Sequence, residues 1–318
     1  MDKLKKFAES LKNADVLGRS DSILDEMHQK GDLSKAKLSL LKELKKKPKS
    51  ANILFAMGYL LNENEEYYSA LEYYDKCLDI KHDDKVIYNK SEILIQSLND
   101  YEEGLKTIEL FRGGDVEQED GIQEFKAKAL LNLNKFSECE KICIENIEKN
   151  PSALGFIETY ADCCYEQGNF QKSFDLNETI LEQDSTDIDA KNNKADLLIR
   201  LEKYDDALKI CDDMISQNSS DVQALTNKGE IFIKKSQFKE ARILLQNCVH
   251  IDPTYHEAWL LLAKAQTLCN SIDDALDSLM VAMSFGTPKL LDKVKENSFD
   301  NIRNDKRFQR IISKYSEI

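Results

Sequence analysis

An all-α solenoid of stacked antiparallel helix pairs is the fold class this sequence predicts, on three observations. A small residue recurs at Ala36, Ala70, Gly104, Cys139, Ser173, Ala207, Ala241 and Ala275, in steps of 34 residues apart from a single step of 35. Three places ahead of each stands Leu33, Tyr67, Tyr101, Phe136, Phe170, Tyr204, Phe238 or Ile272, aromatic in six of eight cases. The chain has only 11 Gly and 4 Pro in 318 residues and is 32% charged, a composition suited to helices joined by short turns. Periodicity of this length marks a repeat array, in which no unit buries its apolar faces alone and neighbours must stack.

The unit is clearest at residues 222–255. Leu225, Gly229 and Phe232 share one helical face, while Ala241, Leu244, Leu245 and Cys248 share another. Each unit therefore reads as two helices, A then B. Small residues at unit positions 8 and 20 let them approach closely, and the aromatic at 17 opens helix B. Position 8 is Leu24, Gly58, Glu92, Ala127, Ala161, Ala195, Gly229 and Ala263. Glu92 is the misfit. Ser91 is expected to take its packing place, with a turn one residue longer before Tyr101. Pro48, Pro151, Pro253 and Pro288 all fall between units, where no helical N–H is lost, and Gly31 and Gly168 fall at the turn within one.

Eight units are expected: 17–50, 51–84, 85–119, 120–153, 154–187, 188–221, 222–255 and 256–287. The one-residue insertion lies near Arg112–Glu119, where an irregularity is expected. Residues 1–16 predict an N-terminal capping helix with Leu4, Phe7 and Leu11 on one face. Residues 288–318 predict a C-terminal helical cap that uses Leu290, Leu291, Val294, Phe308, Ile311 and Ile312.

Stretches such as LTNKGEIFIKKSQFKEARILL and AKNNKADLLIRLEKYDDALKI, with Gly/Ala at 8, an aromatic at 17, Ala at 20 and Pro at 32, resemble the tetratricopeptide repeat (TPR) family over about residues 17–287. The resemblance implies a right-handed superhelical solenoid with a concave groove lined by helix A. It also implies a non-catalytic scaffold or adaptor that binds a peptide or protein segment there. Carried over by unit position, the groove candidates are Glu158, Thr159 and Asp162 in the fifth unit, Asn192, Asn193, Asp196 and Arg200 in the sixth, Thr226, Asn227, Glu230 and Lys234 in the seventh, and Lys264 in the eighth. Glu124, Lys128, Glu166 and Glu257 extend the same face. Asn amides can grip an extended backbone, and the surrounding acids favour a basic segment. The lysines and arginine with which chaperone-binding TPR domains clamp an acidic tail are missing. Glu158, Asp162, Gln223 and Asn227 stand around Asn193 in their place, so such tails are not expected as partners.

Net charge is −14, but it is uneven: +5 over 1–50, +3 over 288–318, and −22 between. An acidic body repels phosphates, so neither nucleic acid nor RNA is an expected partner, although an RNA-binding helical repeat is the weakest alternative. The basic ends support another reading, a regulatory or assembly subunit that docks through its terminal caps. No apolar run is long enough to span a membrane, and the N-terminal stretch lacks a signal-type core, so a cytoplasmic protein is expected. The eight cysteines occupy repeat packing slots and read as buried free thiols, neither disulfides nor metal ligands. No phosphate-binding loop, zincin or nucleophile-elbow motif occurs, the acid pairs Asp205–Asp206 and Asp273–Asp274 sit where they complement a helix dipole, and neither catalysis nor a cofactor is expected.

Overall fold

A computed structural model describes residues 33–285, 289–295 and 297–316. The expected N-terminal cap, the first helix of the first unit with Leu24, and Pro288 lie outside the described residues. The described residues are helical throughout, without a strand, and none of their helices is long and apolar enough to cross a membrane. The chain divides into two units, residues 1–163 and 164–318.

In the first unit the helices are α1 (Leu33–Lys46), α2 (Ala51–Glu63), α3 (Tyr67–Leu78), α4 (Asp84–Glu92), α5 (Tyr101–Ile108), α6 (Val116–Asn132), α7 (Phe136–Lys149) and the start of α8 (Leu154–Glu166). The second contains α9 (Phe170–Gln183), α10 (Ile188–Arg200), α11 (Tyr204–Gln217), α12 (Val222–Lys234), α13 (Phe238–Ile251), α14 (His256–Leu268), α15 (Ile272–Phe285), α16 (Lys289–Val294) and α17 (Lys306–Ser316). Within each unit, consecutive helices pack against each other.

The packing follows the small residues. Ala70, Cys139, Ala207, Ala241 and Ala275 are fully buried, as are Ala127, Ala195 and Ala263 at the facing position. A Cβ on Gly229 would lie 2.6 Å from Leu245 Cδ2, and one on Gly58 would lie 2.5 Å from the Tyr74 ring. These are the places where facing helices leave no room for a larger side chain.

Each described helix pair turns on one left-handed residue: Glu65, Asn99, Asn134, Gly168, Glu202, Ser236 and Asn270, with φ between 55° and 76°. All stand at the same unit position. The following N–H then bonds five residues back, as in Lys203 N to Leu198 O at 2.8 Å and Gln237 N to Phe232 O at 2.8 Å, which satisfies carbonyls the helix end would orphan. At the N-termini, Asp187 and Asp221 each accept the backbone N–H three residues on, at 2.9 Å.

The third repeat departs from this pattern. Ser91 is fully buried in the small-residue slot while Glu92 is half-exposed, and a π-helical turn over Ile93–Ser97 takes up the additional residue. Its closing bond runs six residues back, Asp100 N to Leu94 O at 2.7 Å. Past the short α5, Asp84 accepts the Arg112 N–H at 2.8 Å, and Asp115 with Gln118 forms a capping box on α6.

At the C-terminal end, Leu290, Val294, Phe299, Ile302 and Phe308 join Leu260, Leu276, Leu279 and Met283 in one core cluster. The apolar face of α17 thus covers the last helix pair. Its other face carries Lys306, Arg310 and Lys314 to solvent, four residues apart.

Candidate functional site

The second unit gathers its charged groups on the first helices of successive repeats. Asp196 and Arg200 lie one turn apart on α10, and Glu230 holds on α12 the place Asp196 holds on α10. The Arg200 guanidinium reaches Asp196 Oδ1 at 2.7 and 3.2 Å and Glu230 Oε2 at 2.8 Å. Burial alone would lower the pKa of Arg200, but the two carboxylates outweigh it and raise it above its usual value. Burial raises the Tyr165 phenol, and the Asp196 charge adds to this. The Tyr255 phenol is raised by burial and by Glu257, which also pairs with Lys293 at 2.9 Å. The result is a cation held between two carboxylates, with phenols close by. Arg200 offsets one of its two carboxylates and Lys293 offsets Glu257, which leaves this cluster with one negative charge in excess.

The remaining candidates divide by burial. Asn193 and Lys234 are exposed, and Lys264 is half-buried. Asn192, Thr226 and Asn227 are buried between helices. Thr226 donates to Val222 O at 2.7 Å and lies 3.2 Å from Cys248 Sγ, and Asn227 Nδ2 donates to Asn192 O at 3.3 Å. These three link helix to helix, because unit positions 5 and 6 sit at the edge of the helix A contact surface. In the first unit Glu158 and Asp162 are exposed, and Thr159 bonds back to Gly155 O at 2.8 Å. Glu124 packs over Gly155, whose missing Cβ would stand 2.5 Å from its carboxylate, and its pKa is raised by burial, Asp120 and Glu158. Lys128 is exposed.

Position-by-position transfer missed a second group in the first unit. Tyr59 hydrogen-bonds Glu63, and its pKa is pushed up to about 12 by burial, Glu63 and Glu92. Tyr88 packs over Gly121, where a Cβ would lie 2.7 Å from its ring. Glu92 was the available signal: a carboxylate in a small-residue slot. Of the described cysteines only Cys269 is not buried, and all eight are free thiols. Donation of the Cys139 thiol to Cys143, then burial, raises the Cys139 pKa. Among the described residues no group of His, Cys, Asp and Glu is arranged to hold a metal ion.

A helical-repeat interaction scaffold is the class that these helix pairs and their polar first-helix faces define. A tetratricopeptide repeat family model matches residues 51–84, the α2–α3 pair, so this chain is TPR-like there. A second model, ChAPs (Chs5p-Arf1p-binding proteins), matches residues 157–299. Yeast Tom70 shares the fold at a TM-score of 0.54 and 16% identity, over 95% of this chain and 64% of that one. A tetratricopeptide repeat protein from Parabacteroides merdae ATCC 43184 aligns over 94% of this chain and 100% of its own, at 16% identity and a TM-score of 0.48. A comparison with curated proteins gave no match.

Proposed function

We propose that the chain is a non-catalytic adaptor that holds a segment of another protein against the first-helix faces of its repeats, with the second unit as the main site. The eight-repeat division with terminal caps at 1–16 and 288–318 is part of that proposal. The observation that carries it is the Asp196–Arg200–Glu230 network. Three charged side chains on the first helices of two successive repeats are prearranged at a half-buried surface between phenols. Such a network offers both acceptors and donors to an extended backbone and its charged side chains, without the catalytic base or nucleophile a reaction would need. The match of residues 157–299 to a family described by the proteins it binds supports the same reading.

The test is capture of interacting proteins by the full chain, compared with Arg200→Ala and Glu230→Gln. Partners should be lost from both variants while the melting transition stays cooperative. An unchanged capture profile in folded variants would reject the second-unit site. The alternative, docking through the basic C-terminal cap, is favoured by Lys306, Arg310 and Lys314. Neutralising those three places together (Lys306→Gln, Arg310→Gln, Lys314→Gln) reads it separately.

A further inference from the structure

We propose that Ser271 is a phosphorylation site, at which the added phosphate completes an ion pair with Arg242 and ties the seventh repeat to the eighth. One contact recurs between neighbouring repeats. Unit position 21, just after the small residue of helix B, meets unit position 16 of the next repeat, just before its own helix B. Lys37 reaches Glu66 there at 2.8 Å, and the Lys203 ammonium lies 5.7 Å from the centre of the Phe174 ring. Arg242 and Ser271 hold the same two places, and the guanidinium donates to Ser271 Oγ at 3.4 Å.

The two junctions with a cation at position 21 differ in what meets it. Lys37 meets a carboxylate, whereas Arg242 meets a neutral hydroxyl at long range. Among the described residues no carboxylate pairs with Arg242. A guanidinium calls for paired acceptors side by side, which a carboxylate or a phosphate supplies and a hydroxyl does not. Serine is the residue on which the missing anion can be built, at the atom Arg242 already touches. Transfer of the γ-phosphoryl group of ATP by a protein kinase forms the Oγ–P bond and breaks the bond from that phosphorus to its bridging oxygen. ADP leaves, and the hydroxyl proton passes to the base of the kinase. Three acceptor oxygens and nearly two negative charges then face the guanidinium.

The junction has an opening and room for the group. Ser271 is partly exposed, and a cleft of about 440 Å³ is lined by Arg242 with Ser236, Lys239, Glu240 and Cys269. Lys239 adds a second cation to that cleft, and Glu240 opposes it. Asp273 and Asp274 in the first turn of α15 also oppose the added charge, but Asp273 is already held by Arg307 at 2.7 Å. The same two acids stand two and three places after Ser271, a charge pattern by which an acid-directed kinase selects its substrate. The phosphate would tie α13 to the start of α15, which Asp273 and Arg307 already tie to α17.

This site shares no residue with the Asp196–Arg200–Glu230 network, so either can fail alone. The experiment incubates the full chain with Mg-ATP and an acid-directed serine kinase and maps phosphate by mass spectrometry. Wild type is compared with Ser271→Ala, Ser271→Glu, Arg242→Gln and the Ser271→Glu/Arg242→Gln pair. Phosphate is expected on Ser271 in the wild type and in Arg242→Gln. Phosphorylated wild type and Ser271→Glu should each melt about 2–4 °C above the unmodified chain, and most of that gain should vanish with Arg242→Gln. Phosphorus NMR should place the second ionisation of the phosphate below its usual value of about 6 in the wild type and nearer to it in Arg242→Gln. A phosphate that merely decorates the surface would not respond to Arg242. Glu230→Gln should leave each result unchanged. Absence of phosphate from Ser271, a stability gain that survives Arg242→Gln in full, or a phosphate ionisation that ignores Arg242 would overturn the proposal.

Discussion

The third and seventh repeats solve one packing problem in two ways. In the seventh, α12 and α13 have 13 and 14 residues, Gly229 fills the small slot, and the turn closes five residues back on Phe232. In the third, Ser91 fills the slot, a π-helical turn absorbs a residue, and α5 has only 8 residues. The seventh spends its first helix on uniform stacking. The third keeps the stack but turns a carboxylate toward its neighbour. A solenoid tolerates this because each repeat needs only its neighbours' faces, so a local change in winding does not propagate through the core.

The largest expected effect separates the two by deletion. Removing Gln96, exposed within the π-helical turn, should let the helix rewind as α and cost less than about 1 kcal/mol. Removing Ile233, the matching place in the seventh repeat, leaves no surplus residue, so part of the buried face must rotate by about 100°. A loss of about 4 kcal/mol or more is expected there. Denaturant unfolding of both variants checks it, and equal losses would mean that the π-helical turn is required by the third repeat rather than tolerated in it.

Single substitutions in the small slot sharpen the same contrast. Gly229→Ala drives a Cβ toward Leu245, itself fully buried, and overpacking should cost about 1–3 kcal/mol, partly offset by about 1 kcal/mol of helix propensity. Ser91→Ala should instead stabilise by about 1 kcal/mol, because the Ser91 hydroxyl is buried without a partner and alanine fits its place. Opposite shifts in denaturant midpoint are the expected result.

The helix pairs were legible in the sequence because packing demands a small residue or an aromatic at fixed unit positions, and Ala241 or Phe238 reports that demand directly. The displacement of Glu92 by Ser91 was legible too, since a carboxylate cannot fill a slot sized for alanine. The π-helical turn that resolves it was not, because nothing local in ILIQS distinguishes a lengthened turn from a lengthened loop. The site was legible only in part. Unit position placed Asp196, Arg200 and Glu230 on neighbouring helices, but it could not show that they pair with each other, since that depends on rotamers reaching across helices. Nor could it show that Asn192, Thr226 and Asn227 are buried.

Titration distinguishes the neighbourhoods next. Tyr59, beside the third repeat, has its pKa raised from 10.0 to about 12. A pKa raised on folding supports stability fully below the unfolded value and loses it as pH rises through the folded one. Stability should therefore fall between pH 10 and 12, and Tyr59→Phe should flatten that fall. Tyr255, at the end of the seventh repeat, has its pKa raised by burial and Glu257, so it adds a loss of the same sign. Tyr255→Phe should leave the Tyr59 part intact. A stability profile over about pH 9–12 that neither variant changes would refute the assignment.

The smallest effect lies at the left-handed residue of each turn. Ser236 in the seventh repeat and Asn99 in the third have φ of 59° and 55°. A left-handed residue with a Cβ costs about 1–2 kcal/mol relative to glycine, but asparagine tolerates that region better than serine because its side chain can bond locally. Ser236→Gly should therefore stabilise by about 1 kcal/mol and Asn99→Gly by roughly half as much, each reduced by glycine's greater freedom in the unfolded chain. The inequality, read from denaturant midpoints, tests whether the closing turn is under the same conformational load in both repeats. An Asn99→Gly gain exceeding that of Ser236→Gly would mean that the six-residue closure on Leu94 strains its turn more than the five-residue closure on Phe232.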